Sequence, residues 1–163
     1  MDEGALTRRT LVAGIGAAGL SASVAAAQAP ASPGALTTAP TSQMGLSPRL
    51  TMHAIDNFHG TPGAGMVCDL SIREGDAYRL VKTITTAANG RSAEPLLQDD
   101  ALKAGRYELL LHVADYFAKY GAKLPSPNFL NDVPVRFVIR DPAQRIHLPI
   151  LFSPYGYSYY RGS

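Results

Sequence analysis

The chain has 163 residues, 15 Lys plus Arg against 13 Asp plus Glu, and 46% apolar residues. That length allows one domain of ordinary size, and that apolar share is enough to build its core. A net charge of +2 excludes the basic field that dominates nucleic-acid binding, and the single cysteine, Cys68, excludes an intrachain disulfide and a multi-cysteine metal cluster.

The first segment reads as an export signal. Between Arg9 and Arg49 there is no charged side chain, and Leu11 to Ala27 runs LVAGIGAAGLSASVAAA. This run is only weakly apolar and too short for a comfortable membrane span. It follows Arg8-Arg9 and ends in small residues, so residues 1–27 are expected to be a cleaved twin-arginine signal, giving a periplasmic protein without a stable membrane anchor. The leader carries Asp2, Glu3, Arg8 and Arg9, so its removal leaves the net charge at +2. Residues 28–48 hold four of the twelve prolines among Ala, Ser and Thr and read as a flexible linker.

Residues 49–163 carry repeated strand signals. Leu50–Ile55 and Gly65–Arg73 alternate apolar and polar residues, and Tyr78–Thr85 follows the turn Glu74-Gly75-Asp76. Asn89-Gly90 is a strong turn, after which Arg91–Leu97 can be a short strand or an edge. Gly105–Val113, Val133–Ile139 and Ile146–Phe152 are further strands, and Gly156–Arg161 is a candidate for the last. Ala114–Tyr120 has helical spacing and ends at Gly121, while 123–132, with Pro125 and Pro127, is a loop. Many short strands with turn punctuation predict an all-β sandwich of two antiparallel sheets with one short helix.

Side chains alternate across a strand, so parity assigns faces. Ile146, Leu148, Ile150 and Phe152 share one face, and Leu50, Met52 and Ala54 share another. His147 and His53 fall on the opposite faces and are expected to project outward, beside Pro149, Leu151 and Ile55. A lone outward histidine is ordinarily a surface or hydrogen-bonded structural residue. Two of them amid apolar groups imply a covering partner subunit or ligand. His59, in a Gly-rich turn, is expected to be solvated, and His112 to be a satisfied strand residue. His53 and His59 fit no standard metal spacing, GxSxG is absent, and residues 49–163 contain neither GxGxxG nor a Walker loop. No metal site and no cofactor are therefore expected.

Four of the eight tyrosines fall in the last nine residues, in the ending SPYGYSYYRGS. Together with LTMHAID at 50–56, NGR at 89–91 and RIHLPILFSPYGYS at 145–158, this ending resembles the 5-hydroxyisourate hydrolases, the transthyretin-related enzymes of urate breakdown. The likeness covers essentially all of 49–163 and is most specific at Tyr160-Arg161-Gly162-Ser163, an ending that the transthyretins themselves lack. It departs from the common pattern at Tyr159 and at 87–89, neither of which is a proposed catalytic position. The resemblance implies two four-stranded sheets in a transthyretin-like sandwich and a homotetramer with sites where subunits meet. It implies hydrolysis of 5-hydroxyisourate, a flat oxidised purine, by ring opening, with His53, Arg91, His147 and Ser163 as catalytic groups and Tyr160, Arg161 and Gly162 binding substrate. An imidazole can take a proton from water and a guanidinium can stabilise the oxyanion. Taken alone, Arg91 could equally be a solvated turn residue and the tail could be frayed. A non-catalytic small-ligand carrier and a protein-binding sandwich are the competing readings.

Overall fold

The structure is a computed structural model and describes residues 46–162. The leader expected at 1–27 and most of the linker expected at 28–48 lie outside the described residues, as does Ser163.

The strands in chain order are β1 (Arg49–Asp56), β2 (Thr61–Pro62), β3 (Val67–Glu74), β4 (Ala77–Thr85), β5 (Leu97–Gln98), β6 (Gly105–His112), β7 (Asp132–Ile139), β8 (Arg145–Phe152) and β9 (Tyr157–Tyr159). One helix, α1 (Val113–Lys119), follows β6 directly, and a 3-10 turn spans Asp99–Ala101. The strands form two sheets, ordered β2-β1-β8-β9 and β4-β3-β6-β7, with the two-residue β5 also paired to the start of β1. The chain thus has the all-β, transthyretin-like architecture, with two four-strand paths and one short helix.

The alternation read from the sequence decides which side chains meet between the sheets. Leu50, Met52 and Ala54 of β1 and Ile146, Leu148, Ile150 and Phe152 of β8 are buried, as are Cys68, Leu70, Leu109, Leu111, Val133 and Val135 from the second sheet. Helix α1 buries Tyr116 and Phe117, whose rings lie 5.0 and 5.8 Å from that of Phe152. The wholly buried Asp56 ties this end together. It accepts hydrogen bonds from the Phe58 and His59 amides at 2.9 and 3.0 Å and from the Tyr116 hydroxyl at 3.1 Å, and it pairs with His59 Nδ1 at 2.6 Å. A buried carboxylate is tolerable only with its lone pairs filled in this way. His59 is exposed, as expected of this turn, and its ring is in addition held by Asp56 and packs beside Phe58 and Phe117.

Two expectations change. The sheets are not both antiparallel, because β1 and β8 run parallel over eight register pairs from Arg49↔Arg145 to Asp56↔Phe152. The long stretch of chain between these strands can return to the same end, which no short hairpin allows. The strand considered over 91–97 is reduced to a single bridge between Arg91 and His53 and to β5, since the intervening Pro95 has no N–H to donate to a ladder. Elsewhere a bulge in β4 leaves Val81 as the extra residue opposite Leu70 and Ser71, next to an exposed Leu80.

Strands β7 and β9 each pair on one side only, so they are sheet edges. They lie on the same flank of the sandwich, for the Tyr159 hydroxyl donates to the Arg136 carbonyl at 2.9 Å.

Candidate active site

The parallel β1–β8 register builds the site. Leu50, Met52 and Ala54 point inward, so Arg49, Thr51 and His53 occupy the outer face of β1; Arg145, His147 and Pro149 do the same on β8. Register pairs Thr51 with His147 and His53 with Pro149. The two histidines thus sit on adjacent strands, one step apart along the sheet, and both are half-buried.

Arg91 arrives on the side of β1 away from β8, between the stretches paired with β5 and β2. The Asn89-Gly90 turn is held by the Gly90 amide donating to the Ala87 carbonyl at 2.9 Å, by the Arg91 amide donating to Asn89 Oδ1 at 3.0 Å and by the Ala87 amide donating to the Arg91 carbonyl at 2.7 Å. Gly90 has φ +73°, and its carbonyl accepts from the Ala54 amide at 2.8 Å. A Cβ on Gly90 would lie 2.4 Å from the Ala54 carbonyl oxygen, so only glycine brings the turn this close to β1. This seats Arg91 antiparallel to His53 and carries its Nη1 to 3.4 Å from His147 Nε2.

The chain terminus comes in along the other edge of β8. After β9, the Tyr160 amide donates to the Pro149 carbonyl at 3.3 Å. The Gly162 amide donates to the His147 carbonyl at 2.8 Å, and the His147 amide to the Gly162 carbonyl at 3.4 Å. A Cβ on Gly162 would lie 3.3 Å from both His147 Cδ2 and Pro149 Cγ, so the absent side chain leaves the tail flat against the imidazole. The structure brings His53, Arg91, His147 and Gly162 together. It does not bring the Arg161 guanidinium to them, since that group donates to Gln144 Oε1 at 2.7 Å; the Tyr160 side chain is exposed.

Thr51 was not singled out from the sequence. Its Oγ1 lies 2.9 Å from His147 Nδ1 and 3.5 Å from the Ile146 carbonyl. Arginine can only donate, so the contact with Arg91 is a hydrogen bond when His147 Nε2 is the unprotonated nitrogen of a neutral ring. Nδ1 then carries the hydrogen and Thr51 Oγ1 accepts it, while the Thr51 hydroxyl is free to point at the Ile146 carbonyl. We assign His147 this tautomer, which leaves a lone pair on Nε2 aimed outward. Spacing from His53 was the only signal of Thr51 in the sequence, and it became meaningful only with the strand register.

Electrostatics favour neutral rings. Burial, and then the nearby Arg91 charge, hold His53 below the usual imidazole range, against an opposing hydrogen bond with the Asn89 backbone. Burial also lowers His147, followed by the charges of Arg91, His53 and Arg145. His112 is the contrast: Asp69 at 2.9 Å on Nε2, and Asp132 at 3.1 Å on Nδ1, raise it. A cleft of about 550 Å³ lies beside His112 and α1, away from this constellation. It offers no free imidazole nitrogen, because both of His112's are bonded to carboxylates. Among the described residues no three His, Cys, Asp or Glu side chains converge to hold a metal ion.

Titration of the imidazole resonances by NMR is expected to give midpoints below about 6.5 for His53 and His147 and above it for His112. In Arg91→Gln both low midpoints should rise without reaching that value, because burial, the larger cause, remains. Unmoved midpoints would separate Arg91 from the site.

The family model described as HIUase/Transthyretin family matches residues 50–162. The chain is 48% identical over 120 residues to 5-hydroxyisourate hydrolase 2 of Rhizobium meliloti, covering 74% of this chain and 100% of that one. The solved Klebsiella pneumoniae 5-hydroxyisourate hydrolase superposes with a TM-score of 0.57 at 35% identity, over 71% of this chain and 93% of that one. Sea bream transthyretin, solved in complex with thyroxine, gives a TM-score of 0.62 over 70% of this chain and 94% of that one, and at 22% identity that likeness is one of fold. A match to the family model over more than two thirds of the chain, joined to these likenesses of sequence and fold, makes this chain a member of the HIUase/Transthyretin family.

Proposed function

We propose that the chain hydrolyses 5-hydroxyisourate in urate degradation, opening its six-membered ring to 2-oxo-4-hydroxy-4-carboxy-5-ureidoimidazoline. Relatives carrying that activity in their names match it over nearly their whole length. The observation that carries the mechanism is the polarised imidazole: His147 Nδ1 held by Thr51 at 2.9 Å, with Nε2 facing Arg91 Nη1 at 3.4 Å. A contact of 3.4 Å is long for a hydrogen bond and is readily opened by an incoming water or carbonyl.

In this reading His147 Nε2 takes a proton from water as its oxygen bonds to the ring carbonyl carbon. Arg91 donates to the carbonyl oxygen as negative charge builds there. The C–N bond then breaks and the proton passes to the departing nitrogen. His53, neutral and one step along the sheet, orients the water. Gly162 leaves room for the flat ring over Pro149 and His147, and Tyr160, Arg161 and Ser163 complete the enclosure by analogy with the family ending.

The site in one chain is a face rather than a chamber, with Ile55, Leu151 and Pro149 flanking it. We propose that a homotetramer encloses it, a second copy covering this face while the unpaired β7 and β9 edges join copies laterally. Exposed Val138, Tyr157 and Tyr159 on those edges support that use. Light scattering of the domain is expected to give the mass of four chains; a monomer would remove the enclosing partner. The leader remains our proposal for twin-arginine export to the periplasm. Arg8→Lys with Arg9→Lys should hold precursor in the cytoplasm, and an unchanged periplasmic yield would exclude that route.

The decisive assay generates 5-hydroxyisourate from urate with uricase and follows its ultraviolet decay. The protein is expected to accelerate the decay, and His147→Asn or Arg91→Gln should each lower kcat/KM on the order of 100-fold. The base must be unprotonated and its affinity for a proton is lowered, so the acid limb of kcat/KM should fall below about pH 6.5. Binding without acceleration would favour the carrier reading.

A further inference from the structure

The outer faces of β1 and β8 continue past the proposed site toward the strand starts. Arg49 and Arg145 are opposite one another in register, each one two-residue step, about 7 Å, before Thr51 and His147. With Arg91 they line a cleft of about 210 Å³ that Thr51, Glu94 and Pro95 also border. Thr51 and Arg91 belong to both places, so the cleft is an extension of the site.

Its lining carries three guanidiniums against one carboxylate. Arg73, Arg79 and Arg136 each pair with a carboxylate, to Asp76, Glu74 and Glu108. Among the described residues Arg49, Arg91 and Arg145 form no ion pair, although Glu94 borders the cleft. Arg49 Nε is buried and has no hydrogen-bond partner there. A buried unbonded guanidinium N–H costs stability unless an acceptor fills it, and guanidinium forks match a carboxylate in geometry and charge. Arg145 is also near enough for its charge to act on His147.

We propose that Arg49 and Arg145, with Arg91, form a carboxylate-binding subsite that holds the acid group created when the ring opens. The inference rests on the hydrolase reading. In hydrolysis the water oxygen joins the carbonyl carbon, the C–N bond breaks, one proton goes to the nitrogen and the new acid ionises to solvent. The product therefore bears a carboxylate that the cyclic substrate lacks, and ring opening frees it to rotate toward the cleft. Charge that begins on the attacked oxygen beside Arg91 ends between three guanidiniums. Arg49 and Arg145 are binding residues here, and the proton steps remain with His147.

The probe is orotate, a flat ring bearing a carboxylate, compared with uracil, the same ring without it. Both are measured on the full chain by calorimetry and as inhibitors of 5-hydroxyisourate decay. Orotate is expected to bind at least about tenfold more tightly than uracil, the order expected of a charge-assisted bond. Arg49→Gln with Arg145→Gln should weaken orotate about tenfold and shift uracil less than about twofold. Arg145→Lys should recover part of the loss, and Glu94→Gln should tighten orotate. Equal affinity for the two probes, or parallel losses of both in the double variant, would overturn the subsite. The calorimetric arm needs no turnover, so a wild-type chain that binds orotate selectively without accelerating decay would sink the hydrolase reading on which the product assignment stands. If Arg49→Gln with Arg145→Gln does not fold, the contrast between Arg145→Lys and Arg145→Gln decides.

Discussion

The site depends on the parallel pairing of β1 with β8. Eight successive register pairs leave no freedom to slip, because a shift of one residue would turn Leu50, Met52, Ala54 and Ile146, Leu148, Ile150 out to solvent. The same lock that buries those six side chains sets Thr51 against His147 and stations His53 one step farther on. Hydrophobic burial on the inner face thereby positions polar chemistry on the outer one.

Around that frame two short segments add what the strands lack. The Asn89-Gly90 turn supplies a guanidinium from the β1 side, and its approach is possible because glycine replaces a Cβ that would collide with the Ala54 carbonyl. The Tyr160–Gly162 segment supplies a backbone wall from the β8 side. Imidazoles partly withdrawn from water beside a permanent positive charge lose affinity for protons. The site is thus tuned toward neutral bases by burial first and by Arg91 second. His112 shows the reverse outcome on the other sheet, where two carboxylates claim both ring nitrogens and leave it with a structural task.

The positive charge also gives the outer face a direction. Imidazole nitrogen lies in the middle and, at the strand starts, guanidiniums that form no ion pair among the described residues, while apolar Ile55 and Leu151 lie at the opposite end. An electroneutral ring entering this face and leaving as an acid would meet its complement at the cationic end. Covering that face with a second copy would exclude water and strengthen every such contact.

Much of this was legible in the residues themselves. Alternation in Leu50–Ile55 and Ile146–Phe152 assigned the faces of both histidines, because strand geometry converts odd and even positions directly into outside and inside. Asn89-Gly90 marked its turn, and the terminal motif marked the family. The partnership of β1 with β8, its parallel sense and hence the meeting of Thr51 with His147 were decided by tertiary structure, since strand pairing joins segments that local pattern treats independently. The same holds for His59, whose hold by Asp56 depends on burial that a Gly-rich turn does not announce, and for Arg161, drawn off to Gln144. Nor does any local pattern bring Arg49, Arg91 and Arg145 to one cleft: charge is written in the sequence, but distance between charges exists only after the chain has folded.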